Sequence, residues 1–272
     1  MATLIGKRKL RNYNQTLNER DKALLLTLKQ CRFLQTSQVA RLFFGNATTP
    51  NAALRAASRT LAKLCGMGLV QSIERRIVGE RAGCSSFVWT LKAAGIDILR
   101  LSSEISSEKP AYRKQVEEPS YIFLKHSLAI AELYTYLQTK SNLITAELEP
   151  SCWRGYTTIS GSTVTLKPDL YAVTSTDGYE DYWFFEVDMD TETPLRIMRK
   201  CEQYGRYCLT GEEQERTEVF PQVVWLVPDK KRQATLKRYI GEYLAEYAEL
   251  FVVITLDSLD ALIRGGKEAL CK

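Results

Sequence analysis

Apolar positions in the first hundred residues recur at helical spacing three times and then switch to alternation. "LNERDKALLLTLKQCRFLQ" places Asn18 ahead of acidic residues and an amphipathic run through Leu24, Leu25 and Leu28, which predicts a helix capped by Asn18. "TSQVARLFFG" predicts a short second helix, capped by Thr36 or Ser37 and stopped by Gly45. "NAALRAASRTLAKLCGMG" is made of strong helix formers and ends at a glycine. In this third helix Leu54, Leu61 and Leu64 are expected inward, while Arg55, Arg59 and Lys63 recur every four residues as one basic stripe. "LVQSIERRIVGERAGCSSFVWTL" then alternates apolar and polar residues on both sides of a Gly-containing turn, the pattern of a hairpin, and "KAAGIDILRL" adds a further helix.

Three helices followed by a hairpin are the order of a winged helix-turn-helix, in which the third helix enters the major groove and the wing rests on the backbone. Arg55, Arg59 and Lys63 on that helix, with Arg75, Arg76 and Arg81 on the wing, are the expected DNA contacts. Residues 102–120, "SSEISSEKPAYRKQVEEPS", are polar, charged and flanked by prolines. They predict a linker between a first domain, 1–101, and a second, 121–272.

The second half starts with a helix, "YIFLKHSLAIAELYTYLQ", whose Leu124, Leu128, Ala131 and Leu137 form an apolar side. Three strands follow: "LITAELEP", "TVTLKPDLYAVTS" and "DYWFFEVDM". "TPLRIMRKCEQYGRYCL" is a helix starting near Thr191 or Thr193, with Pro194 early in it. "EVFPQVVWLVP" is fully apolar and predicts a strand at the centre of a sheet. "KRQATLKRYIGEYLAEYAEL" is another amphipathic helix and "FVVITLD" a last strand. The expected fold class is α/β (α+β), with a mixed central sheet in the second domain.

Composition narrows the class without naming it. An apolar fraction of 45% and a charged fraction of 25% are those of an ordinary globular protein. No run approaches a membrane span and the start lacks a signal peptide's apolar region, so a cytoplasmic location is expected. The seven cysteines are scattered, with no CxxC pair or Cys/His cluster, which excludes a zinc finger and a disulfide framework. The net charge of +5 conceals an asymmetry. Residues 1–120 hold 20 Lys/Arg against 9 Asp/Glu, a net of +11, and residues 121–272 hold 17 against 23, a net of −6. A basic first half predicts a polyanionic partner and salt-sensitive binding.

The chemistry is concentrated in "LKPDLYAVTSTDGYEDYWFFEVDMD", Leu166 to Asp190. Strand side chains alternate, so Glu186 and Asp188 point the same way, and Asp169 on a neighbouring strand can meet them. Three carboxylates beside an apolar sheet are costly unless a cation neutralises them. Mg²⁺ or Mn²⁺ held by Asp169, Glu186 and Asp188 is therefore expected, and a metal among carboxylates points to phosphodiester chemistry.

Proline-aspartate on one strand and ExD on the next resemble the restriction-endonuclease-like αβββαβ fold of PD-(D/E)xK nucleases, over roughly residues 121–256. More particularly, "HSLAIAELY", "KPDLYAV", "FFEVDMDTET" and "RKCEQYGRY" resemble the replication-relaxation family, which includes MobC-type plasmid relaxases with an N-terminal winged helix. The resemblance implies a metal-dependent DNA relaxase, a nicking endonuclease acting at a plasmid or mobile-element transfer or replication origin. It implies double-stranded DNA as partner, with accessory mobilisation proteins and a coupling protein, and it admits a homodimer. Asp169 and Glu186 would then be metal ligands, and Asp188 a further ligand where the nuclease superfamily has lysine. That lysine's place would fall to Lys200 on the next helix or Lys167 beside the site. His126, Glu132, Gln203 and Tyr204 are candidates for the outer shell, the last two for contact with a DNA backbone as well.

Two rivals remain open. Tyr204 and Tyr207 are the tyrosines to test as covalent nucleophiles, whereas a histidine-bound metal is excluded by a chain with only His126. The other rival is a non-catalytic DNA-binding regulator or replication accessory protein built on a degenerate nuclease fold.

Overall fold

Helix α1 (Lys7–Thr16) stands outside the predicted elements: it buries only Leu10, so no apolar stripe announces it. Helix α2 (Glu19–Cys31) starts at Asn18 as its pattern predicts, with Asp21 N–H donating to Asn18 Oδ1 at 2.8 Å. A short strand β1 (Phe33–Gln35) precedes α3 (Thr36–Phe44), whose cap is Gln35 rather than Thr36 or Ser37. Gln38 Oε1 accepts the Gln35 N–H at 2.8 Å, and Thr36 is buried with its hydroxyl receiving Trp89 Nε1 at 3.0 Å. Helix α4 (Pro50–Gly66), strands β2 (Val70–Ile73) and β3 (Val88–Leu91) and helix α5 (Ala93–Leu101) follow. The three strands form an antiparallel sheet in the order β1-β3-β2.

The computed structural model describes residues 5–73, 87–102, 119–158 and 161–271, and the chain divides into two units, 1–135 and 136–272. The division falls inside helix α6 (Tyr121–Lys140), and most of the expected linker lies outside the described residues. In the first unit Leu124 and Leu128 of α6 pack on Phe33 and Val88.

In the second unit β4 (Leu143–Leu148) is followed by a separate hairpin, β5 (Arg154–Thr157) with β6 (Thr163–Leu166). The strand expected over 163–175 is broken into β6 and β7 (Leu170–Thr176). Pro168 accounts for the break, because it lacks an N–H and restricts Lys167. Then come β8 (Tyr179–Val187), α7 (Pro194–Thr210), α8 (Glu212–Thr217), β9 (Gln222–Val227), α9 (Lys230–Tyr243), β10 (Phe251–Thr255) and α10 (Leu259–Gly265). Helix α9 is shorter than its pattern, since residues 245–250 tighten into a 3₁₀ turn.

The main sheet has the order β10-β9-β8-β7-β4. Strands β8, β9 and β10 are parallel, while β7 is antiparallel to β8 and β4 to β7. The fold is thus mixed α/β, and apolar β9 sits inside the sheet, one place from its middle. Tyr171, Val173, Phe184, Val223, Trp225 and Phe251 alternate onto one face, where they pack with Ile197, Cys201 and Tyr204 of α7 and Leu236 and Ile240 of α9. The carboxyl ends of β8, β9 and β10 share one rim with the start of β7. Helices α7 and α9 both begin at this rim, α7 with Pro194 at its first position and α9 capped by the Asp229 side chain. No helix among the described residues is long and apolar enough to cross a membrane.

Candidate active site

The face that carries the aromatic core also carries the carboxylates. The ladder ends where Leu170 pairs with Phe185, and just beyond it Asp169 comes close to Glu186 at the end of β8. Asp169 N–H donates to Phe185 O at 3.1 Å, and Val187 N–H donates to Asp169 Oδ2 at 2.8 Å. The bend at Asp169, after Pro168, therefore folds its side chain back onto the end of β8. Asp169, Glu186 and Asp188 are all buried, Glu186 to 1% exposure.

Two groups from α7 meet Glu186. Lys200 Nζ donates to Oε2, and Tyr204 OH donates to Oε1 at 2.6 Å. Burial is the largest influence on Glu186 and, with the Asp169 charge adding to it, pushes the carboxyl up to about 8, against the opposing pull of Lys200 and Tyr204. Burial acts the other way on Lys200, but the Glu186 and Asp169 charges outweigh it and hold the ammonium above its ordinary range. Lys200 is placed so that its head meets the pair while 26% of its side chain stays exposed.

Asp188 continues the alternation but has a different partner. Its Oδ2 receives Arg232 Nε at 2.5 Å, and its Oδ1 receives the Asp190 N–H at 2.9 Å. Arg232, on the first turn of α9, also reaches Asp190 Oδ1 at 3.0 Å and Glu192 O at 2.8 Å. It clamps the connection between β8 and α7. Nothing in the run "DKKRQ" distinguishes Arg232 from its neighbours except helical phase: it is the cation that falls on the Leu236, Ile240 face. Among the described residues, no group of three or more His, Cys, Asp or Glu is gathered to hold a metal ion.

The other predicted residues are dispersed. Lys167 is exposed, with its ammonium 4.7 Å from the Trp153 ring centroid. Gln203 is half-buried on α7. Tyr204 is fully buried, which leaves it no surface to offer a DNA backbone. Tyr207 is buried too, and donates to Glu213 Oε2 at 2.5 Å. Burial first, and then the carboxylate each one faces, holds both phenols above their ordinary range, a poor state for a nucleophile. Glu213 is the centre of a separate ion cluster with Arg154 Nε at 3.0 Å, which ties β5 to α8.

His126 and Glu132 belong to residues 1–135. There Glu132 receives Arg41 Nη1 at 2.7 Å and Gln38 Nε2 at 3.1 Å, and His126 is half-buried. On α4, Ala53, Ala57, Leu61 and Leu64 form the buried side, and Leu54 is 37% exposed, contrary to expectation, because it lies at the edge of that stripe near the start of the helix. Arg55 and Arg59 are exposed, whereas Lys63 is bound to buried Asp21 at 2.5 Å. Arg75, Arg76 and Arg81 lie outside the described residues. The described cysteines, Cys31, Cys65, Cys152, Cys201 and Cys208, are all free thiols.

A mixed α/β protein with a buried carboxylate pair, a lysine and a tyrosine at one sheet rim defines only a broad class. The family comparison is narrower: the replication-relaxation profile matches residues 25–223, and the chain belongs to that family. Membership points to a role in replication or mobilisation. No curated protein and no solved structure matches the chain.

Proposed function

We propose that the chain is a metal-dependent DNA relaxase that nicks one strand at a transfer or replication origin of a plasmid or mobile element. In this reading residues 1–135 bind duplex DNA as a winged helix through Arg55 and Arg59 of α4, with the predicted wing arginines beside them. The β7–β8 rim is the cutting site, in the manner of a PD-(D/E)xK nuclease. Accessory mobilisation proteins, a coupling protein and a second copy of the chain are the partners that go with it.

One observation carries the proposal: Asp169 and Glu186 lie beside each other, buried, with Lys200 donating to the second of them. Mg²⁺ is commonly held by one or two carboxylates together with waters and substrate phosphates. The pair fits that donor set, because two buried carboxylates share one cation, Lys200, and negative charge is left for a divalent ion to balance. Asp169 and Glu186 would hold Mg²⁺ or Mn²⁺, with Asp188 next along the strand and drawn towards Arg232. A metal bound there supplies charge for the phosphate oxygens and acidifies a water. Lys200 keeps Glu186 oriented and stands in the place of the lysine usual in the motif. Tyr204 fixes the other oxygen of Glu186, and Arg232 fixes the turn that follows β8.

A second reading has one observation in its favour: Asp169, Glu186 and Asp188 all accept hydrogen bonds from the protein itself. That suits a non-catalytic DNA-binding regulator on a degenerate nuclease fold. Supercoiled plasmid carrying the protein's own flanking DNA separates the two. Open circles formed by wild type with Mg²⁺, and absent with Asp169→Ala, are the expected result. Nicking that persists in Asp169→Ala would overturn the site, and no nicking by wild type would favour the regulator.

A further inference from the structure

The unit spanning residues 136–272 is acidic, with 22 Asp/Glu against 16 Lys/Arg, yet five of those cations fall in the nine residues 230–238, where there is no acid. They lie on α9. Lys230 and Lys231 occupy its first turn, which has no acidic residue, although the positive end of the helix dipole disfavours cations there. Arg232 turns inward to Asp188, while Lys230, Lys231, Lys237 and Arg238 are exposed.

At 100° per residue these four side chains flank Ala234 and Gly241, so the middle of the exposed face is nearly bare backbone. A Cβ built on Gly241 meets nothing within 4 Å. Among the described residues none of the four has an ion pair, and Arg238 stacks at 5.1 Å over the Tyr239 ring. Acids nearby on the helix are Asp229, whose Oδ1 accepts the Arg232 N–H, and Glu242 at the distal edge. The like charges repel and no acid among the described residues pairs with them, a local inconsistency of the kind found at functional surfaces.

We infer that this face of α9 seats the phosphate backbone of the DNA strand that reaches the Asp169–Glu186 pair. The inference rests on the nicking proposal and adds a substrate-positioning surface to it. Position and length both match. Helix α9 begins two residues after β9, on the rim where Leu226 O accepts the Asp188 N–H at 2.9 Å. From 230 to 238 the helix rises about 12 Å, the rise of three to four nucleotides of one strand at about 3.4 Å each. Small residues between the cations let a backbone approach closely, which neither a single small anion nor an extended acidic side chain requires.

The test compares wild type with a Lys230→Gln, Lys231→Gln, Lys237→Gln triple variant, measuring DNA affinity against salt and Mg²⁺-dependent nicking in the same preparations. Each phosphate contact contributes about 0.9 to the slope of log affinity against log salt, so the variant's slope should be shallower by about two to three. Its nicking should fall at least several-fold at subsaturating DNA and recover at saturating DNA. Should the triple variant fail to fold, Ala234→Glu places one negative charge at the centre of the face and should weaken DNA binding and nicking in the same manner. A wild-type slope in a folded variant overturns the role of α9 while leaving the nicking proposal intact. Wild type that binds no DNA at any salt overturns both.

Discussion

Asp169 lies beside Glu186 at the end of the β7–β8 ladder, just past the Leu170–Phe185 pair, and both are buried. Like charges close together repel, and a dry setting strengthens the repulsion. Burial first, and then this neighbouring charge, makes Glu186 a carboxyl that holds its proton to about 8 rather than to its ordinary 4.5, against the pull of Lys200 and Tyr204.

That difference sets the sign of a pH effect. The native state binds a proton that the unfolded chain has released, so the contribution is full below about 4.5 and is lost as pH rises through about 8. Melting temperature should therefore fall between about pH 5 and about pH 8 in wild type, and this component should vanish in Glu186→Gln. Mg²⁺ should restore stability at the upper end in wild type alone, with apparent affinity rising with pH as the proton is displaced. Parallel melting curves for wild type and Glu186→Gln across this range would sink the assignment.

Lys200 and Tyr204 act on one carboxylate from one helix. Lys200→Met should raise the pH midpoint of nicking and cut its rate by roughly 10²-fold, the scale seen when one charged group is removed from a developing negative charge. Tyr204→Phe removes a hydrogen bond to a charged group, about 1.5–3 kcal/mol, and should shift the same midpoint upward with a smaller rate loss. A pH–rate profile that moves in neither variant would detach α7 from the chemistry.

Arg232 and Asp188 form a second buried pair, at 2.5 Å. Removing one member should cost about 3–5 kcal/mol, because the other stays buried and uncompensated. Arg232→Met together with Asp188→Asn should cost clearly less than the two single changes added together. Denaturant unfolding of the four proteins measures this directly, and strict additivity would mean that the contact carries no coupling.

The three cations predicted as one stripe on α4 should separate in the laboratory. Arg55→Ala and Arg59→Ala alter only exposed groups, so they should weaken DNA binding, flatten its salt dependence and leave melting unchanged. Lys63→Ala strands Asp21, whose side chain is 3% exposed, and should lower the melting temperature as well. If all three lower the melting temperature equally, the distinction between them fails.

Much of this was legible along the chain, for reasons tied to particular residues. Asn18 marks one helix start through its capping box and Pro194 marks another as the first helical residue, both of which local sequence carries in full. The placement of Glu186 and Asp188 on one sheet face follows from alternation alone, whereas Asp169 reaches it from the bend after Pro168. What local sequence does not carry is which distant side chain completes each carboxylate. Lys200 and Tyr204 were in view because they follow the motif by one helix, but Arg232 lies 44 residues from Asp188 and only the parallel β8–β9 pairing brings it there. The hairpin β5–β6 was hidden for a similar reason: its strands are short and half-exposed, and its anchor is the Arg154–Glu213 contact across 59 residues. Leu54 was misplaced because alanines, which have little periodic signal of their own, form the buried stripe of α4.

The rim where β8, β9 and β10 end has a consequence for how such a protein diversifies. Residues 189–193 and 228–229 connect strands to helices there, while the ladder itself is secured by backbone pairing and by Phe184, Trp225 and Tyr204 beneath. Changes of length or composition in those two connectors would re-aim whatever the rim grips without shifting the register of a single strand. Relatives that differ in target should accordingly differ there first, and grafting the two segments between them should transfer preference while the scaffold stays the same.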